Sequence, residues 1–137
     1  VAGRETRPSG GYIERQGVNS SVTALFKAFQ FGVPGGVIRG RSRNGREVVS
    51  GYHPLKGNQY DDATNKKTRA YAKLSVRGDR RPYTIRVQYI IQKRNADGRY
   101  VIARYDQGRA KKVMIKIREY LASRPDRNDF IDDFRAF

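Results

Sequence analysis

The chain has 137 residues, with 29 Lys and Arg against 13 Asp and Glu and a formal net charge of +16. That length supports one domain with a modest core and is too short for two. Cys is absent and His53 is the single His, which excludes a disulfide scaffold, a thiolate zinc site, a cysteine nucleophile and any metal site built on two imidazoles.

Arg outnumbers Lys by 20 to 9. The basic excess is therefore weighted toward a planar donor fork that suits bidentate contact with phosphate or carboxylate. Net charge of this size speaks to association with anions and to solubility rather than to a reaction.

Residues 1–17 mix Gly3, Pro8, Ser9, Gly10 and Gly11 with charged side chains. Such a composition resists burial and predicts a flexible polar tether. The chain starts at Val1 and its only Met is Met114, which fits a removed leader, a trimmed initiator or a cut piece alike. No run reaches the roughly 18 apolar residues of a membrane helix, so no transmembrane segment is expected. A tether ahead of a Cys-free domain suits an exported bacterial envelope protein, and equally a basic arm on a cytoplasmic nucleic-acid binder.

Residues 18–125 read as a single domain. Val22, Leu25, Phe26 and Phe29 recur at three- and four-residue spacing, predicting a helix over 21–31. Asn19, Ser20 or Ser21 can cap its start, and Gly32 with the Pro34-Gly35-Gly36 run ends it. Two extended runs, 36–43 and 46–52, flank Asn44-Gly45, the signal of a type I′ hairpin turn. Arg39, Arg41, Arg43 and Arg46 crowd its tip. Alternate residues of a strand share a face, which would align Arg39, Arg41 and Arg43 as an anion-contacting finger. The same charges would also keep an exposed edge from pairing with another chain.

Residues 53–68 form the longest internal loop, containing Asp61 and Asp62, with Tyr52, His53 and Tyr60 as its noticeable side chains. Arg69 to Arg77 then alternates, with Ala70, Ala72, Leu74 and Val76 on one side and Arg69, Tyr71, Lys73, Ser75 and Arg77 on the other. This is a half-buried strand with a basic outer face. A turn over 78–82 leads to a strand over 83–93, and Asn95-Ala96-Asp97-Gly98 leads to a third over 99–105. Tyr83 and Tyr89 share a face with Ile85, Val87 and Ile91, so burial accounts for them. A helix over 107–122 carries Ala110, Val113, Met114, Ile117, Tyr120 and Leu121 on one stripe.

Residues 126–137 set Phe130, Phe134 and Phe137 among Asp126, Asp129, Asp132 and Asp133, with a net charge of −2 against +18 for residues 1–125. This tail is expected either to dock on the domain or to engage a partner.

The expected fold is α+β: an antiparallel sheet of about five strands, a hairpin plus a three-stranded meander, packed by an N-terminal and a C-terminal helix. A phosphate-cradling loop, a dinucleotide fingerprint and a nucleophile elbow are missing from the sequence. The acidic residues match no calcium-loop spacing, and no metal or cofactor is expected. An enzyme would have to work from His53, Tyr60 and Asp61 or Asp62 without a recognised constellation.

The function expected is a non-enzymatic basic binding module, an envelope or periplasmic accessory protein. Its partner would be an anionic polymer, an anionic membrane surface such as lipid phosphate, or an acidic protein. The alternative is an intracellular RNA- or DNA-binding accessory protein, for which Tyr71, Lys73, Arg77 and Arg86 on a solvated sheet face would serve. The candidate anion-binding residues are Arg39, Arg41, Arg43, Arg46, Arg69, Tyr71, Lys73, Arg77 and Arg86.

Overall fold

The computed structural model describes residues 11–54 and 68–123. Six strands and two helices follow one another as β1 (Ile13–Val18), α1 (Val22–Gly32), a 3₁₀ turn (Pro34–Gly36), β2 (Ile38–Arg41), β3 (Glu47–Ser50), β4 (Thr68–Arg77), β5 (Tyr83–Arg94), β6 (Tyr100–Tyr105) and α2 (Gln107–Ser123). The architecture is the expected α+β one. All pairings are antiparallel, in the order β1-β5-β4-β3-β2, with β6 also on β5.

The twelve-residue β5 is the spine of the sheet. One of its edges is covered by β4, from Arg77↔Thr84 to Thr68↔Lys93. The other edge is divided end to end: β1 takes Tyr83 to Val87, and β6 takes Ile90 to Arg94.

β1 falls where composition predicts a tether. Its residues are mostly exposed, so no apolar alternation announces it. Backbone pairing with β5, together with Ile13 packed against the core, holds it in place. Residues 13–18 are therefore strand rather than tether, and residues 1–10 lie outside the described chain.

The Asn44-Gly45 turn also differs from expectation. A type I′ turn needs positive φ at both central residues, whereas Asn44 keeps a negative φ and Gly45 alone is positive, at 70°. The amide of Gly45 donates to the Ser42 carbonyl at 3.0 Å. The loop is therefore a type I turn closed by glycine, with the Asn44 side chain accepting from the Arg46 amide.

Both helices lie on one face of the sheet. Ala24, Leu25, Phe26, Ala28 and Phe29 of α1 and Ala110, Val113, Met114 and Ile117 of α2 are buried. They join Ala70, Ala72, Leu74 and Val76 of β4 and Ile85, Val87, Tyr89 and Ile91 of β5 in one core. The opposite stripes of the strands face away from the helices and make a sheet face that is open among the described residues. Ser21 caps α1 by accepting from the Ala24 amide at 3.0 Å, and Asp106 caps α2 by accepting from the Arg109 amide at 3.0 Å.

Candidate anion-binding face

Strand alternation delivers Arg69, Tyr71, Lys73 and Ser75 of β4 to the open face, beside Arg86, Gln88 and Gln92 of β5 in register. Tyr52, just beyond β3, stands edge-on to Tyr71 with ring centroids 5.5 Å apart. The isolated bridge His53↔Ala70 fixes that neighbourhood.

Guanidinium groups fill the spaces between these rings. Arg69 lies 3.6 Å from the Tyr52 centroid and 3.7 Å from that of Tyr100, while its Nε donates to the Gln92 side chain at 2.8 Å. Arg39 lies 3.9 Å from Tyr52 and 4.9 Å from Tyr71, with its Nε donating to the Ser50 carbonyl at 3.3 Å. At the far end of the face Arg86 covers the Tyr12 ring at 4.5 Å.

Arg39 and Arg69 thus share one ring. Their guanidinium carbons are at most 7.5 Å apart, the sum of their distances to the Tyr52 centroid. Two unit charges at that separation repel by at least about 0.5 kcal/mol even in water-like surroundings. Each cation–π contact contributes about 0.5–1 kcal/mol at an exposed site, so the rings work against that repulsion.

The other cations of this face are differently placed. Lys73 meets Glu47 at 3.6 Å, and Ser75 donates to the same carboxylate. Arg86 meets Glu14 at 2.7 Å, and its hydrogen bond is the main influence holding the Glu14 carboxyl below its usual range. Among the described residues, neither Arg39 nor Arg69 forms an ion pair with a carboxylate. Burial raises the Tyr71 phenol above its ordinary value, and the nearby Arg39 opposes that shift.

The aligned finger does not form. A register shift between Ile38 and Gly40 rotates β2, so Arg39 covers Tyr52 on the open face while Arg41 lies over Phe26 of α1, 5.0 Å from its centroid. Arg43 sits in the turn, outside β2. Arg46 reaches along the sheet end, donating to the Gly78 carbonyl at 3.2 Å, and lines a polar depression with Arg77. Of the nine basic and aromatic candidates, Arg39, Arg69 and Tyr71 form one cluster, with Lys73 and Arg86 further along the same face. Phe130, Phe134 and Phe137 lie outside the described residues, as do Tyr60, Asp61 and Asp62.

Tyr52 and Tyr100 complete the cluster and were not among the site residues expected from sequence. The alternation of 99–105 signals the strand that carries Tyr100, but bringing it over Arg69 requires the β5–β6 register. A second depression of about 390 Å³ lies on the helix side, where Tyr89, Asp106, Arg109, Lys112 and Lys116 meet Pro34. Its Asp106 is held below the usual carboxylate range: burial pushes it up, and the Arg109 amide and guanidinium, the latter donating at 2.6 Å, outweigh that push.

No group of three or more His, Cys, Asp or Glu able to hold a metal ion occurs among the described residues. Nor is any described helix long and apolar enough to cross a membrane. No protein-family model matches the chain, and no curated protein matches it significantly.

Proposed function

We propose that this protein is a non-enzymatic basic binding module that holds an anionic partner against the open face of its sheet. The observation that carries this reading is the pair Arg39 and Arg69, stacked on Tyr52 and Tyr100 with no carboxylate against them among the described residues. A guanidinium held against a ring keeps N–H groups free at its edges, and those can take an oxyanion in a bidentate grip. Because the rings hold the side chains in place, less rotamer freedom is lost on binding.

The setting proposed from sequence is the bacterial cell envelope, where lipid phosphate, cell-wall polymer or an acidic protein would be the partner. A second reading, an RNA- or DNA-binding accessory protein, is favoured by the tyrosines interleaved with the cations.

A salt titration tests the shared claim. Binding to phosphatidylglycerol vesicles or to single-stranded RNA is expected to weaken steeply with salt. Replacing Arg39 and Arg69 together by Ala is expected to lower both the affinity and the salt slope. Replacing Lys111 and Lys112 on the exposed side of α2 removes the same formal charge and controls for nonspecific attraction. Indifference to both ligands at low salt, or equal losses in the two double variants, overturns the proposal.

A further inference from the structure

We infer that the partner of the open face is a single-stranded nucleic acid, whose phosphates engage Arg39 and Arg69 and whose bases stack on Tyr71 and Tyr100, Tyr52 being sandwiched between the two guanidinium groups. The inference rests on the anion-binding reading above and adds the chemistry of the ligand.

Ring and guanidinium alternate across the strands. Arg39, Tyr52, Arg69 and Tyr100 follow one another at contacts of 3.9, 3.6 and 3.7 Å, and Tyr71 stands edge-on to Tyr52. Both guanidinium planes and phenol rings are surfaces on which a nucleobase stacks. A purely anionic partner has no use for the rings beyond pinning the cations. A strand with exposed bases uses both parts of the array at once.

Spacing supports the same partner. Two guanidinium groups no more than 7.5 Å apart can serve neighbouring phosphates of an extended strand, the backbone-tracking role that cations play in single-strand grooves. Gln88 and Gln92 lie on the same face in register with Lys73 and Arg69. Their amides supply donors for base edges, and the Gln92 oxygen is already committed to Arg69.

Other anionic partners use this chemistry less well. A duplex hides its base faces, so the rings would go unused, and this open face carries no helix to enter a groove. Adsorption to a bilayer draws on an apolar stripe that enters the acyl region beneath extended cations. Here the cations are held against rings, and the half-exposed Ile102 is paired with the polar Gln92.

Fluorescence anisotropy with the full chain tests the inference. The probes are a short labelled oligo(dT), an abasic oligonucleotide of equal length and charge, and a duplex of that length, with phosphatidylglycerol vesicles measured in parallel by co-sedimentation. Oligo(dT) is expected to bind about tenfold or more tightly than the abasic strand, because base–aromatic stacking contributes on that scale. Tyr100→Ala, with circular dichroism confirming its fold, is expected to remove most of that advantage. The charge-preserving variant with Arg39→Lys and Arg69→Lys is expected to weaken oligo(dT) several-fold while leaving vesicle association within about twofold.

Equal, salt-steep binding of oligo(dT) and the abasic strand overturns the inference and leaves the anion-binding reading standing. So does tighter binding to the duplex or the vesicles. Binding to none of the probes overturns both.

Discussion

Tyr89, buried in the middle of β5, shares a hydrogen bond between its hydroxyl and Nε2 of His53, whose Nδ1 donates to the Pro54 carbonyl at 2.9 Å. Both nitrogens of the only imidazole in the chain are thereby committed. Burial pushes the Tyr89 phenol up to about 12 from 10.0, so it stays a neutral donor across the physiological range. The pair ties the segment after β3 to the spine of the sheet.

Tyr89→Phe is expected to cost about 1 kcal/mol in urea unfolding near neutral pH, the net worth of a partly buried hydrogen bond. It also carries a pH signature. A phenol whose folded pKa is raised contributes stability that is fully present below pH 10 and is lost as pH rises through about 12. Wild type should lose stability across that window, and the Phe variant should lose less.

Asp106 is the cap of α2. Asp106→Ala should destabilise the protein by about 1 kcal/mol at neutral pH, read as a lower melting temperature. Its carboxyl pKa is depressed in the folded state, so its contribution is present above the ordinary value of 3.8 and lost as pH falls through the lower folded one. The gap between variant and wild type should therefore close in acid, and a gap independent of pH would contradict this account.

Ser50 is fully buried at the end of β3, accepts from the Ala72 amide at 2.8 Å and donates to the Gly51 carbonyl. Ser50→Ala leaves a buried amide without its acceptor, at an expected cost of about 1–3 kcal/mol. Hydrogen exchange at Ala72 should accelerate more than at Leu74, whose amide environment the substitution does not touch.

Phe29 is completely buried between α1 and the rest of the core. Phe29→Ala should cost about 3–5 kcal/mol, a large share of the stability of a domain this size. Denaturant unfolding with an unchanged m-value would show that the loss is one of stability alone.

Arg39→Ala should weaken binding of a polyanion several-fold, whereas Arg41→Ala should leave it within about twofold. Both remove one charge from β2, but only Arg39 stands on the open face. Equal losses would mean that net charge, and not the ring-bound cluster, governs association.

Where periodicity was strong the elements were legible. The stripe of α1, the alternation of β4 and β5 and the long stripe of α2 each report burial on one side, which is a local property of spacing. β1 escaped because an edge strand held by backbone pairing, with an ion pair from Glu14 to Arg86, needs no apolar alternation. The turn at Asn44-Gly45 was located correctly, but its backbone type was decided by the five-residue span it had to close.

For the candidate site, alternation placed Arg69, Tyr71 and Lys73 on a solvated face without any coordinates. Which cations lack a carboxylate among the described residues was not legible. Glu47 reaches Lys73 across β3–β4, Glu14 reaches Arg86 across β1–β5, and the bulge in β2 sends Arg39 and Arg41 to opposite faces. These outcomes depend on register and on long-range pairing.

By itself, then, the sequence determined a single basic α+β domain with one buried sheet face, because hydrophobic spacing and charge are properties of residues near one another in the chain. Only the tertiary structure turned a net charge of +16 into two guanidinium groups sharing the ring of Tyr52. Arg39, Tyr52, Arg69 and Tyr100 come from different segments, and antiparallel register across β2, β3, β4, β5 and β6 is what brings them within van der Waals reach.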